Sequence, residues 1–153
     1  MARVSFIHAA LMLTYNGADI TGLARNAATP IEDLWVSLHT AKPEDNDQSS
    51  FEVVYPGYTR TSVPRSEIGW VVNENSVNPV GNIDFPAITQ DLGNDIEAKY
   101  FSVGTNKEGS GWILHSGMIE PGIPLKRNTI PRLNTDTSIT IVQQNLVRTS
   151  VTQ

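Results

Sequence analysis

His8, His39 and His115 are the chain's three histidines, so an acid/base or imidazole-ligated metal site working near neutral pH has to draw on them. His39 closes the alternating run LWVSLH and is followed, beyond Pro43, by Glu44, Asp45 and Asp47. His115 stands in the run WILHSGM. Two such strands on facing sheets could bring the imidazoles together. The spacing argues otherwise, because no H-E-x-x-H or H-x-H pattern is present and the acids nearest His39 fall in a polar loop. His39 is expected to be an amphipathic residue on a strand face or at a subunit contact, without catalytic partners.

The remaining chemistry is thinner still. Ser116 lacks the G-x-S-x-G elbow that lifts a nucleophile out of a strand-to-helix turn, and its neighbour His115 points to the opposite face of the same strand. The glycines of VGTNKEGSGW do not end in G-K-[ST], and a strand follows rather than a helix, so a phosphate cradle has neither its amides nor its helix dipole. That stretch is expected to be a hairpin, with Gly109 and Gly111 at positive φ. Two acidic groups, Glu44/Asp45/Asp47 and Asp91/Asp95/Glu97, offer oxygen ligands, but neither has the spacing of a calcium loop, and solvation is the simpler role. Trp35, Trp70 and Trp112 with Tyr55, Tyr58, Tyr100, Phe85 and Phe101 could stack on sugars. At alternating strand positions they are better spent as core, each burying on the order of 150–250 Å². No catalytic residue, metal ligand or cofactor is expected.

The elements that would position these residues are mostly strands. Residues 4–15 place Val4, Ile7, His8, Leu11 and Tyr15 at helical spacing, with Ser5 as a cap and Asn16-Gly17 as a stop, which predicts one short helix. From about residue 33 onward, short alternating or apolar runs are separated by Gly, Pro, Asn and Asp. They predict strands at 34–40, 52–55, 58–64, 69–73, 82–86, 98–105, 111–119, 123–127 and 137–142. This is the pattern of an all-β antiparallel two-sheet sandwich, jelly-roll-like. The expected core is Leu34, Val36, Leu38, Val71, Ile83, Phe85, Phe101, Val103, Ile113, Ile139 and Ile141, with Trp112 at least partly buried. KPEDNDQSS (42–50) and QDLGND (90–95) are expected to be solvated loops outside it. Residues 1–142 are expected to form a single domain and QQNLVRTSVTQ (143–153) an extended arm.

Composition narrows the function classes. Eleven basic residues against sixteen acidic give a net charge of −5, with no Lys/Arg stripe for phosphates, so nucleic acid is not an expected partner. No apolar run approaches the ~18 residues of a membrane span, and FIHAALML is too short and lacks a cleavage signature, so no membrane is expected either. The absence of cysteine removes disulfides, thiolate catalysis and cysteine-ligated zinc, and suits assembly in a reducing cytosol.

LWVSLHTAKP (34–43), YPGYTRTSVPR (55–65), NIDFPAI (82–88), KYFSVGTNKEGSGWILHSGMI (99–119) and IPRLNTDTSITI (130–141) follow one another in an order and spacing similar to a family of small bacteriophage virion proteins, tail-fibre-like or head-decoration-like. The resemblance covers about residues 4–142; the tail beyond Val142 departs from it. It implies a short N-terminal helix before a structural sandwich, and transfers no catalytic residue. It leads us to expect a capsid decoration (cement) protein bound to the major capsid protein as a homotrimer. The alternatives are a tail-fibre or baseplate-associated protein bound to tail proteins and, in another class, a carbohydrate-binding module. In this scheme the arm contacts a partner through Leu146, Val147, Arg148 and Val151.

Overall fold

In the computed structural model, residues 6–20, 22–23 and 25–141 are described. Among them the chain forms α1 (Phe6–Asn16) and nine strands: β1 (Asp33–His39), β2 (Thr61–Pro64), β3 (Trp70–Asn73), β4 (Ser76–Pro79), β5 (Ile83–Asp84), β6 (Glu97–Gly104), β7 (Ile113–Pro124), β8 (Arg132–Leu133) and β9 (Ile139–Thr140). They make a four-stranded sheet β2-β1-β6-β7, a three-stranded sheet β3-β4-β9 and a two-stranded ribbon β5-β8, with every pairing antiparallel. The expected all-β, sandwich-like architecture with one N-terminal helix is therefore present, its strands divided among three sheets.

α1 ends where the sequence predicts. Gly17, at φ 70°, takes the left-handed conformation that lets its N–H return to the Leu13 carbonyl at 3.1 Å. Arg65 then covers the helix's negative end, donating to the carbonyls of Thr14 and Leu13 at 2.8 and 2.7 Å. The buried face of α1 carries Leu11 and Tyr15, four residues apart, and Tyr15 meets Trp70 of β3 edge-on with ring centres 4.9 Å apart.

β1 is the central strand. Leu34, Val36 and Leu38 are fully buried on one face, and Ser37 and His39 are fully buried on the other. The second face is covered because the chain folds back over it after His39: Thr40 N–H donates to Phe51 O at 2.8 Å, and Val53 N–H donates to Leu38 O at 3.0 Å. Residues 52–55 thus contribute one bridge, Glu52 to His39, rather than the predicted strand. The predicted runs 111–119 and 123–127 fuse into the twelve-residue β7, which tolerates Pro121 because it lies at the sheet edge.

Of the expected core, Leu34, Val36, Leu38, Ile83, Phe85, Phe101, Val103 and Ile139 are buried, in one cluster with Tyr15, Trp70 and Leu133. Val71 and Trp112 are corrections. In β3 the inward face is that of Trp70, and the period of two puts Val71 outside. Trp112 precedes β7 at the base of the 105–111 hairpin, bonded to Thr105 through its backbone, and its indole is 70% exposed. Ile113 and Ile141 are half-buried. The loop 42–50 is not wholly outside the core either, since Gln48 is fully buried.

Candidate functional site

The polar side chains with the capacity for chemistry converge behind β1. His39, at the end of that strand, faces Ser102 of β6 on one side and the loop after β1 on the other. Its Nε2 lies 2.8 Å from Ser102 Oγ and its Nδ1 2.8 Å from the Ser50 carbonyl. Burial pushes the His39 pKa down, against the opposing pull of the Ser50 carbonyl and the Glu52 charge. The imidazole is then neutral, and its partners assign the tautomer: Nδ1–H donates to the carbonyl, and Nε2 accepts from the Ser102 hydroxyl. This is the contact a histidine makes with a serine nucleophile, but both residues are sealed from solvent. A carbonyl, not a carboxylate, sits behind the ring.

Beside it lies an ion pair that sequence reasoning missed. Arg60 grips Glu52 with two parallel bonds, Nε to Oε2 at 2.8 Å and Nη2 to Oε1 at 2.9 Å. The arginine side chain is 3% exposed and the glutamate 15%. Arg60 also donates to the carbonyls of Asn106 and Gly109, tying the β6–β7 hairpin to the body of the sheet. Tyr58 completes the cluster, donating to Glu52 Oε2 at 2.8 Å and accepting from Leu38 N–H at 3.2 Å. Burial, then the Glu52 charge, pushes the Tyr58 hydroxyl's pKa up, so it remains a donor. Gln48 fills the remaining gap, bonding Trp35 O at 3.2 Å and Asn106 N–H at 3.0 Å. A Cβ on Gly104 or Gly111 would lie 2.1 or 2.2 Å from its amide, so those glycines make room for it. The available signal was the pair Tyr58 and Arg60, two residues apart and therefore on one side of an extended segment.

The other predicted sites do not assemble. His115 is 2.8 Å from the Tyr15 hydroxyl through Nδ1, and burial lowers its pKa, so the neutral ring accepts the hydrogen bond that the tyrosine donates. It does not meet His39. His8 bonds the Glu74 carbonyl at 3.1 Å. Asp47 holds the N–H and hydroxyl of Ser49, which lowers its pKa. Among the described residues no group of three or more His, Asp or Glu side chains is placed to hold a metal ion. The partner-contact residues Leu146, Val147, Arg148 and Val151 lie outside the described residues.

What this arrangement does is hold loops. One cluster binds the segments around Gln48, Glu52, Tyr58, Asn106 and Gly109 to the central strands, fixing one end of the sheet. The comparison with known families points to a structural protein as well. The model of the podophage GP4 fiber I protein gp80 family matches residues 13–137. The chain belongs to this family. The match spans α1 from Leu13 to the segment just before β9, taking in the whole buried cluster. No curated protein matches the chain. Membership makes the protein a phage structural protein and a component of the virion.

Proposed function

We propose that the protein is a structural subunit of a phage tail fibre or of its attachment to the tail, acting through rigid contacts with tail proteins and further copies of itself, and carrying out no catalysis. The observation that supports this is the fibre-family match over residues 13–137. It favours the tail location over the capsid-cement role expected first. The geometry is consistent with a static role: His39, Arg60, Glu52 and Tyr58 spend their hydrogen bonds inward on loops, and the long edge strand β7 has β6 as its one paired neighbour among the described residues. Shared contacts repeated over several copies, in a homotrimer for instance, give such a part its strength. Quantitative mass spectrometry of purified particles tests the location. A copy number far below that of the major capsid protein, and matching the other tail components, is expected; stoichiometry comparable with the capsid protein would return the protein to the shell.

A further inference from the structure

We propose that the open edge of β7 receives residues 142–153 of a second copy of the chain as an added strand. β7 is twelve residues long and, among the described residues, has one hydrogen-bonded neighbour, β6; its pairing with β6 is interrupted between Met118 and Ile123, around Pro121, and on either side of that break its outer N–H and C=O groups are available to pair. Beside that row runs a groove of about 470 Å³ between Met118–Ile123 of β7 and the segment 132–138. Its apolar walls include Phe101, Ile123 and Leu133, and its mouth carries Met118, 58% exposed. An edge strand beside an apolar groove is the geometry in which an extended peptide is held by main-chain bonds and alternate side-chain pockets.

The sequence that follows the described chain suits that place. VQQNLVRTSVTQ puts Val147, Thr149 and Val151 on one face of an extended segment, rich in β-formers.

The direction of exit assigns the strand to another copy. Thr137 and Ser138 line the groove, but the chain then runs away from it: Ile139 pairs with Val77, Thr140 with Ser76, and Ile141 is bonded through both N–H and C=O to Asn75 at the β3–β4 turn. A return to its own groove needs an immediate reversal, and Val142, Gln143 and Gln144, which follow Ile141, are not turn-forming residues. Twelve extended residues reach about 40 Å, enough to cross to a neighbour. Exchange of this kind is head-to-tail and closes into a ring when the rotation between copies allows. It holds wherever on the virion the protein sits.

The cysteine-free chain allows a direct test. Glu120→Cys and Thr149→Cys full-length chains are co-expressed with different tags and mildly oxidised. The expected product is a disulfide-linked pair carrying both tags, in excess over either like-with-like pair. In parallel, Val147→Asp with Val151→Asp should reduce the mass by light scattering to one chain while the urea midpoint stays unchanged. Three results would overturn the proposal: no two-tag product above the statistical level, a Glu120→Cys/Thr149→Cys double variant that closes on itself as a monomer, or a wild-type chain that is monomeric at the concentrations of the cross-linking experiment.

Discussion

Replacing Glu52 by glutamine removes one charge from the enclosed pair and changes almost nothing in shape. Arg60 then keeps a single amide oxygen from that side chain, together with the Asn106 and Gly109 carbonyls, while remaining 3% exposed. Breaking a buried pair at one partner costs about 3–5 kcal/mol, because the surviving charge cannot recover its hydration. Against a total stability of about 5–15 kcal/mol this is a large fraction. With a urea slope of about 2 kcal/mol per molar, the denaturation midpoint should fall by roughly 1.5–2.5 M. Arg60→Lys should fall comparably, since an ammonium cannot span the carboxylate and two carbonyls at once. It should also speed tryptic cleavage at Lys107, which lies in the hairpin those carbonyls anchor. A midpoint shift below about 0.5 M for Glu52→Gln would place the pair in the range of solvent-screened surface pairs and refute the assignment of this cluster as the clamp of the sheet.

His39 and His115 both have pKa values lowered by burial, so the unfolded chain takes up protons at a pH where the folded chain does not. Their contribution is whole above the unfolded value of about 6.5 and is lost as pH falls below it. Urea midpoints should therefore drop between pH 7 and 5, and His39→Gln should flatten that slope; an unchanged slope would mean that folding does not alter the titration of His39. Ser37 Oγ is buried without a hydrogen-bond partner, so Ser37→Ala should raise stability by about 1 kcal/mol, and a clear loss in the same denaturation experiment would reveal a bond there. Phe101→Ala should cost about 3–5 kcal/mol, since the ring lies over Gly117, where a Cβ would stand 2.8 Å from it; a loss under ~1 kcal/mol would mean that ring is not central.

Periodicity exposed the long elements. The LWVSLH alternation, the helical spacing up to Gly17 and the Gly-rich hairpin before β7 are all legible because each depends on neighbours in sequence. Two short strands were not. β4 follows a turn in which Glu74 adopts φ 49°, a conformation usually signalled by Gly or Asn, and β8 is two residues long, with Arg132 paired to Asp84 across the ribbon. The polar cluster was hidden for a different reason. Gln48 reads as loop solvent-facing among EDNDQSS, and Glu52, Tyr58 and Arg60 each look ordinary; their burial depends on the chain folding back over β1 and on two distant glycines yielding space. Trp112 misled in the opposite sense, since a tryptophan next to a strand is expected inside, and only the hairpin's geometry leaves it in solvent.

Labelling intact virions with a Fab fragment raised against the folded protein, followed by electron microscopy, tests the central claim most directly. A tail-fibre subunit places every label on the tail or its fibres and leaves the shell bare. Labels distributed over the capsid surface, with none on the tail, would contradict the account.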